Sequence, residues 1–364
     1  MIPYTYPYIR KKKERRSNLE LYRIIVMLLI VAHHYVVNSG LSEVMSNNPT
    51  SEKSIFLYLF GMWGKTGINC FVLITGYFMC KSNITLRKFL KLILEVEFYN
   101  VSIYLIFLLS GYKPFSIRYF MKAMIPIYSI TSDDFISCYM MFYLFIPFLN
   151  ILIQDIDRKA HRRLICLCLI LYTFFGTVPT FHVVMNYVSW FCVLYFISSY
   201  IRLYGLIPKI KNHQWGQLTL LSLLISMTSV LILIKLHQIA GFKLVPYRFV
   251  SDSNVVMAIA TAICSFMYFK DLKIKQSKFV NVISASTFGV LCIHANSDTM
   301  RHWLWNDLLN NVNQYQSDNV FLTAILSVVT VFIVCMLIDH LRIISVEKWT
   351  FKYLDKKLGK PYGS

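Results

Sequence analysis

Charged side chains are scarce in this chain of 364 residues, in which Asp, Glu, Lys and Arg together make up 15%. Soluble globular domains carry about 25%. Hydrophobic residues reach 56% and the mean hydropathy is +0.53. Apolar stretches of about 20 residues recur along the chain, each long enough to cross a bilayer core. The composition therefore excludes an ordinary soluble protein and indicates a chain that crosses a membrane several times.

The alternation of apolar and polar residues that marks membrane β-strands is also missing. Because the apolar runs are continuous, the segments that cross the bilayer are expected to be helices rather than strands of a closed barrel. We predict an all-α fold, a polytopic membrane helical bundle of about ten transmembrane helices with no appended soluble domain. The predicted spans are 19–37, 55–80, 89–110, 133–153, 163–180, 184–204, 216–237, 253–270, 280–295 and 320–341.

Acidic residues are half as frequent as basic ones, 18 against 37, which gives a net charge of +19. With ten spans and a cytoplasmic N-terminus, 27 of the Lys and Arg residues fall on the cytoplasmic side and 9 on the outer side. This asymmetry is typical of a multi-pass protein of the cell membrane, here with both termini in the cytoplasm. The basic clusters are expected to set the topology and to contact anionic membrane lipids, and no nucleic-acid partner is expected.

The predicted membrane domain covers residues 19–345, between basic cytoplasmic tails at 1–18 and 346–364. The run Arg10–Arg16 precedes an apolar span that is too long for the core of a signal peptide, so we expect this segment to be retained. The nine cysteines form no CxxC pair and lie in or beside apolar segments. We interpret them as packing residues rather than disulfides or metal ligands, and we predict no metal site.

The most informative motif runs from Glu20 to His34 and places a carboxylate, a guanidinium and an imidazole on one apolar helix. Successive helical residues turn by about 100°, so Arg23 and His34 lie only about 20° apart around the axis and about 16 Å apart along it. Glu20 and Arg23, spaced i and i+3, can form an ion pair. Ionisable groups inside a membrane helix are costly and by default mark function.

The chemistry of this stripe has two interpretations. A neutral His34 suits proton abstraction or transient acyl transfer, and Arg23 can hold phosphate oxygens in a bidentate manner. In the alternative, Arg23 extends its head group to the membrane interface and His34 is a core histidine with its hydrogen bonds satisfied. His33 points about 100° away from His34, and the sequence does not decide between the two histidines.

Polar groups also lie inside the predicted second span. In the segment 67–77, Asn69 and Thr75 are flanked by Gly67 and Gly76, small residues that allow neighbouring helices to approach closely. Asn69 and Thr75 are candidate substrate ligands. Packing glycines with helix-to-helix hydrogen bonds are the simpler interpretation of the same pattern.

Further candidate ligands lie at the ends of spans. On the inner side, Arg87, Lys88 and Lys91 form a positive cluster suited to an anionic cytosolic donor, although topology alone also requires such charges. At the outer end of the ninth span, His294 and Arg301 are candidate substrate ligands. A histidine in that place is, taken alone, more often an interface residue.

The third span contains two carboxylates, Glu95 and Glu97. Because an unpaired carboxylate within the bilayer is costly, we expect at least one of them to face a cationic partner. Lys91 lies one helical turn before Glu95 and is the candidate partner within the same helix.

Taken together, these segments resemble the acyltransferase-3 family of bacterial integral-membrane acyltransferases, in particular its surface-polysaccharide O-acetyltransferase-like members. The resemblance runs in the expected order from about residue 17 to 345. Its most specific part is an arginine followed after ten residues by a histidine. Four stretches carry it, namely Asn18–Arg23 continuing to His33 and His34, Gly67–Phe78, Tyr139–Asn150, and Ser286–His294 with Arg301.

The resemblance implies transfer of an acyl group, usually acetyl from acetyl-CoA, to a hydroxyl of a surface or lipid-linked glycan across the membrane. By position, it implies His34 as the catalytic histidine and Arg23 as its partner arginine. It also implies that Arg87, Lys88 or Lys91 belongs to the basic positions after the second span, without fixing the register. Coenzyme A is anionic and cytosolic, so the acyl-CoA donor is expected at the positive inner face.

The sequence departs from the family in three respects. Glu20 stands where many members have Asp, and Thr75 stands where Ser is common. Glu20 lies roughly 21 Å from His34 along the helix axis, so its expected contribution to the catalytic group is to orient Arg23. Some members carry an additional esterase-like domain outside the membrane. Because this sequence ends at Ser364 without one, we expect acyl delivery to finish within the membrane domain or on a separate partner.

The leading hypothesis is therefore a membrane O-acyltransferase, and two other classes stay open on the residues alone. A transporter or flippase of a glycan-related substrate would use the intramembrane charges as a substrate path. An accessory membrane subunit would have no chemistry of its own. The absence of an internal repeat mildly disfavours transporters built from inverted repeats. An enzyme predicts loss of product when His34 is replaced, whereas a transporter predicts flux without covalent change.

Overall fold

The computed structural model describes residues 15–128, 134–178, 180–181, 183–207, 209–240, 245–250 and 252–358. Most of these residues are helical and none of them is in a β-strand, so the predicted all-α fold is confirmed. Most of the predicted basic tail at 1–18 and the last six residues of the tail at 346–364 lie outside the described residues.

The chain forms a succession of helices joined mainly by short loops. The first part contains α1 (Ser17–Val37), α2 (Leu41–Asn47), α3 (Glu52–Gly61), α4 (Gly64–Met79), α5 (Leu86–Leu109), α6 (Ile117–Met124) and α7 (Phe135–Asp155). The middle part contains α8 (Arg158–Cys168), a π-helical turn (Leu169–Phe174), α9 (Phe175–Thr177), α10 (Tyr187–Tyr204), α11 (Asn212–Ala240) and α12 (Val256–Lys270). The last part contains α13 (Lys278–Ala285), α14 (Thr287–His294), α15 (Asp298–His302), a π-helical turn (Trp303–Leu308), α16 (Asn311–Gln314), α17 (Val320–Arg342), a π-helical turn (Ile343–Glu347) and α18 (Lys348–Leu358).

Within the described ranges, six helical stretches are long and apolar enough to cross a membrane. They are Ser17–Val37, Glu52–Met79, Leu86–Leu109, Phe135–Asp155, Asn212–Leu236 and Val320–Lys357. A bent pair, Lys278–His294 with Asp298–Gln314 at 94°, raises the number to seven if it counts as one span. The predicted spans 163–180, 184–204 and 253–270 also contain helices, but these are not among the six. The total of about ten therefore stays a prediction.

Local sequence explains where several of the long helices begin. The side chains of Thr85, Asp134 and Asn186 each accept a hydrogen bond from the backbone N–H three residues later. These N-caps satisfy donors that the first turn of a helix leaves unpaired. They define the starts of α5, α7 and α10.

The first helix lies at the centre of the bundle, where α1 packs against α3, α4, α12, α13, α14 and α17. Arg16, next to the start of α1, contacts Tyr77 near the end of α4 and the carbonyl of Lys270 at the end of α12. We call this the Arg16 end of the bundle. The opposite end, where α1 terminates, is the His34 end.

Two glycines of α4 allow the close helix approach that the sequence predicted. A methyl group on Gly67 would lie 2.8 Å from Cγ1 of Ile30, so α4 approaches α1 at this point. A methyl group on Gly76 would collide with Ser198 Oγ, so α4 approaches α10 there. Small residues at such crossings let helix backbones lie closer than larger side chains permit. The helices α1 and α4 therefore lie at short range where Ile30 meets Gly67.

Candidate functional site

The predicted pair of Glu20 and Arg23 is present on α1. Arg23 Nη1 lies 3.4 Å from Glu20 Oε2, so the ion pair expected from the spacing is confirmed. Ser284 of α13 donates a hydrogen bond of 2.5 Å to the same carboxylate oxygen. Glu20 is buried, whereas the Arg23 side chain keeps 27% of its surface exposed. The guanidinium is thus paired within the helix while part of the Arg23 side chain stays exposed.

His34, further along the same helix, contacts a second histidine. Its Nδ1 lies 3.0 Å from Nε2 of His294, the last residue of α14. His294 is completely buried, and its Nδ1 lies 2.6 Å from the carbonyl oxygen of Val290. The packing of α14 against α1 brings these two predicted site residues together, although 260 positions separate them in the sequence.

The hydrogen bonds assign the tautomers of a neutral pair. A carbonyl oxygen only accepts, so Nδ1 of His294 carries the proton that it donates to Val290. Nε2 of His294 then has a lone pair and accepts from His34 Nδ1–H. Nε2 of His34 is left without a proton and can take one from a substrate.

His33 has a different environment. Its Nδ1 lies 2.6 Å from the carbonyl oxygen of Gly61, at the junction of α3 and α4. The rings of His33 and His34 are tilted, with centroids 5.7 Å apart. His33 is therefore tied to the backbone of a neighbouring helix, whereas His34 is tied to a second imidazole. The role of either histidine toward a substrate stays a prediction.

The cations Lys65, on α4 next to Gly64, and Arg301, on α15, also lie at the His34 end of the bundle. Arg301 is paired with Asp298, and its side chain keeps 32% of its surface exposed. Lys65 Nζ donates a hydrogen bond of 2.5 Å to the hydroxyl of Tyr187. The His34 end of the bundle thus combines an imidazole base with nearby positive charge, which favours developing negative charge on a reacting oxygen.

The predicted substrate ligands of the second span lie inside the protein. Asn69 is completely buried, its side-chain oxygen accepts from Trp190 Nε1 at 2.8 Å, and its amide donates to the Ser253 carbonyl at 2.6 Å. Thr75 Oγ1 lies 3.0 Å from the hydroxyl of Tyr139. Both residues join helices through hydrogen bonds, and their roles toward a substrate stay predictions.

The predicted donor cluster lies beside the last helix. Arg87 pairs with Asp355 of α18, and Lys91 Nζ lies 2.6 Å from Glu347. Lys88 Nζ donates to Ser82 Oγ at 2.6 Å. The three cations line a surface pocket together with these two carboxylates and with Lys348 and Lys352.

Glu95 has the cationic partner that its position in a span requires, but the predicted partner was wrong. Arg342 of α17, not Lys91, lies 3.1 Å from Glu95. The same guanidinium lies 2.8 Å from Asp339 and 3.1 Å from Glu347. Because Arg342 on α17 is the buried cationic partner of Glu95, Lys91 pairs with Glu347 instead.

Comparison with known proteins decides the family. The sequence profile of the acyltransferase domain family, acyltransferase-3, matches residues 16–340. The chain belongs to this family. Neither a search of curated proteins nor a search of solved structures gave a match.

The protein is thus a membrane acyltransferase, and this activity indicates what chemistry a candidate site on the bundle must provide. Catalysed acyl transfer needs a base for the incoming hydroxyl, a site for the donor and stabilisation of the oxyanion. In this acyltransferase the pair of His34 and His294 offers a base whose free nitrogen is defined. The sequence could not show this contact because no local spacing relates the two residues.

A pocket at the His34 end of the acyltransferase includes the loop that follows α14. Asn296, two residues after His294, donates a hydrogen bond of 3.0 Å to Asn100 at its wall. The hydroxyl of Tyr104, also at the wall, is buried and has no hydrogen-bond partner among the residues described. Polar and aromatic side chains from α5, α6, α7 and the loop after α14 line it, including Asn100, Tyr104, Lys113, Tyr119, Lys122, Asp134 and Asn296.

Proposed function

We propose that this acyltransferase moves an acyl group, acetyl in the first instance, from cytosolic acyl-CoA to a hydroxyl of a surface or lipid-linked glycan. The observation that carries the proposal is the hydrogen-bonded pair of His34 and His294 on a membrane bundle of the acyltransferase-3 family. The pair supplies a base within an apolar bundle, as acyl transfer to a weakly acidic hydroxyl requires.

The proposed reaction uses His34 as a general base. Nε2 of His34 removes the proton from the acceptor hydroxyl while its oxygen attacks the thioester carbonyl carbon. The carbon–sulfur bond breaks, and the proton on His34 passes to the departing thiolate, which leaves as coenzyme A. The products are an O-acyl glycan and the free thiol, so no oxidant or metal is needed for balance. His294 keeps His34 in the productive tautomer, as the third member of a hydrolase triad does.

A transient acyl group on His34 is the variant of this mechanism that the residues also allow. In that case Nε2 attacks the thioester directly, and coenzyme A leaves before the glycan hydroxyl takes the acyl group. Both routes need an unprotonated Nε2 on His34. They differ in whether an acyl-enzyme accumulates when the donor is present without an acceptor.

The donor is proposed to enter from the Arg16 end and the glycan from the His34 end. Arg23, with part of its guanidinium exposed, lies about 16 Å before His34 along α1. A long, thin pantetheine arm can span such a distance within the bundle. The polar and aromatic pocket beside Asn296 suits a sugar, because carbohydrate ligands need both hydrogen bonds and apolar ring faces. Thr75 and Arg301 remain proposed acceptor ligands, whereas substitution of Asn69, which is completely buried, tests whether it binds substrate or joins helices.

The proposed location follows the charge pattern of the sequence. The Arg16 end would face the bacterial cytoplasm with both termini, and the His34 end would face the outer side of the cell membrane. This orientation places the acyl-CoA donor and the envelope glycan on the sides where each is available.

The test uses membrane vesicles that contain the protein, radiolabelled acetyl-CoA and lipid-linked glycans from the host. We expect alkali-labile label on glycan and an equal amount of free coenzyme A thiol. Label that crosses the membrane without becoming covalently attached would instead support the transporter or flippase of a glycan-related substrate. Absence of both, with every acyl-CoA and glycan fraction supplied, would contradict the proposal.

A further inference from the structure

Two arginines converge on one tyrosine at the Arg16 end of the bundle. Arg202, near the end of α10, donates from Nη1 to the Tyr77 hydroxyl at 2.7 Å. Arg16 approaches the same oxygen from Nη1 at 3.4 Å. The Arg202 guanidinium also lies over the Tyr77 ring, 4.6 Å from its centroid. Two positive charges therefore share a single neutral acceptor.

Neither arginine has an acidic partner in the part of the chain that the structure describes. The ion pairs there involve other cations, and the nearby Lys270 pairs with Asp271. The predicted donor cluster differs in this respect, because Arg87 and Lys91 are each paired with a carboxylate. Like charges at short range repel each other unless an anion lies between them. The positive charges of Arg16 and Arg202 are thus not balanced by a carboxylate among the described residues.

Several hydrogen-bond donors at this place are also unused. Nε of Arg202 is buried and has no partner among the residues described. Together with Nη2 it forms the edge of a guanidinium that binds phosphate or carboxylate oxygens in a bidentate manner. Tyr77 accepts from both arginines, and in the described part of the chain its own O–H has no acceptor. An unpaired buried donor is destabilising, so an anion that accepts these bonds would be bound favourably.

The packing of two helices defines the position of this group. Gly76, adjacent to Tyr77, lets α4 lie against Ser198 of α10, one helical turn before Arg202. Tyr77 itself is buried and packs edge-on against Phe266 of α12, with ring centroids 5.4 Å apart. The tyrosine is therefore rigid, and it fixes both guanidinium groups at the end of the bundle.

We propose that Arg16, Tyr77 and Arg202 form a phosphate-binding site that holds the nucleotide phosphates of the acyl donor. This inference rests on the proposed function, since it takes acyl-CoA as the donor. Arg16 directly precedes α1, the helix that carries Arg23 and His34. A donor anchored there by its phosphates has its thioester arm directed along α1 toward the base. The site adds residues to the proposed donor path that the sequence did not indicate.

Full and truncated donors test the site. In Arg202→Gln, we expect the KM for acetyl-CoA to rise roughly 10- to 100-fold, the range expected for lost hydrogen bonds to a charged group. The KM for S-acetyl-N-acetylcysteamine, which carries no phosphate, should change by less than about twofold. Tyr77→Phe keeps the ring and should raise only the KM for acetyl-CoA.

Arg158→Gln is a matched control. Arg158 donates to the Tyr200 hydroxyl at 3.4 Å and lies over the Tyr204 ring, but no second arginine shares either tyrosine in the described chain. Its KM values for both donors should equal those of the wild type. Equal rises for both donors in Arg202→Gln and Tyr77→Phe, or no rise in either, would overturn the proposal. If only Arg87→Gln raised the KM for acetyl-CoA, the phosphates would bind in the surface pocket lined by Arg87, Lys88 and Lys91, and the proposal would be overturned.

A binding measurement separates this site from the proposed reaction. Adenosine bisphosphate, the nucleotide portion of coenzyme A, should raise the thermal unfolding temperature of the purified full-length protein in detergent. The shift should disappear in Arg202→Gln and persist in Arg158→Gln, even if no acyl transfer were found. Stabilisation by anionic phospholipid alone, without any shift from adenosine bisphosphate, would assign the group to a lipid head group and overturn the proposal.

Discussion

His34 Nδ1 lies 3.0 Å from His294 Nε2, and this contact joins the first helix to the end of α14. The carbonyl of Val290 fixes the proton on the far nitrogen of His294. The contact therefore does for His34 what a carboxylate does in a hydrolase triad: it holds the tautomer and the ring orientation. In the proposed mechanism His294 acts through His34, so we propose it as a positioning residue rather than a catalytic one.

Replacement of His294 should lower kcat more than it changes KM. We expect His294→Ala to reduce kcat by about 100-fold, because His34 loses the acceptor that fixes its tautomer. His294→Gln should retain more activity, since a glutamine oxygen near the Nε2 position can accept the same bond. The double variant His34→Ala with His294→Ala should be no slower than His34→Ala alone. Additive losses in initial-rate measurements would contradict this coupling.

The spacing of α4 and α10 should control donor binding. Gly76→Ala places a methyl group against Ser198 Oγ and should push α10 away, which separates Arg202 from Tyr77. We expect a higher KM for acetyl-CoA in Gly76→Ala and partial recovery in the double variant with Ser198→Ala, which removes the colliding oxygen. Steady-state kinetics of the wild type, Gly76→Ala and the double variant measure these KM values. Absence of any recovery would show that the collision is not the cause.

The cluster around Arg342 should stabilise the bundle. One buried guanidinium contacts Glu95, Asp339 and Glu347, and Tyr99 donates to Asp339 at 2.8 Å. Arg342→Gln leaves the carboxylates without this counter-charge, so we expect a loss of about 3–5 kcal/mol in the free energy of unfolding.

SDS-induced unfolding of the purified protein measures the loss in the free energy of unfolding that we expect for Arg342→Gln. Asp339 also lies against Gly289 of α14, where a methyl group would collide with it, so the variant should disturb the helix that ends at His294. Arg163→Gln, at an exposed position on α8, is the control and should leave stability unchanged. An unfolding curve for Arg342→Gln that matches the wild type would contradict a stabilising cluster.

Asn69→Ala tests whether that residue binds substrate or joins helices. The variant leaves the indole N–H of Trp190 and the carbonyl of Ser253 unpaired in a buried place. We expect destabilisation by about 1–3 kcal/mol with unchanged KM values for both substrates in the folded fraction. A raised KM for the glycan with unchanged unfolding would instead support the predicted role in acceptor binding.

The sequence was informative where short-range geometry decides the outcome. Helical periodicity predicted the stripe on α1 and the pairing of Glu20 with Arg23 because both depend only on turn angle and spacing. The small residues Gly67 and Gly76 predicted close crossings because a missing side chain limits how near a neighbour can lie.

Long-range packing set the features that the sequence could not predict. Lys91 was the only cation one turn from Glu95, yet α17 supplies a buried arginine that binds three carboxylates at once. The contact of His34 with His294 and the convergence of two arginines on Tyr77 likewise depend on how helices cross. No periodicity within one segment carries such information.

The most direct test of the proposed mechanism compares His34→Ala with His33→Ala in the vesicle transfer assay. The two histidines are neighbours on α1, but only His34 is hydrogen-bonded to His294, while His33 is bonded to the Gly61 carbonyl. We predict that His34→Ala, inserted and folded, loses alkali-labile label on the glycan, and that His33→Ala keeps most of it. Equal transfer by His34→Ala and wild type would contradict the role of His34 as the base.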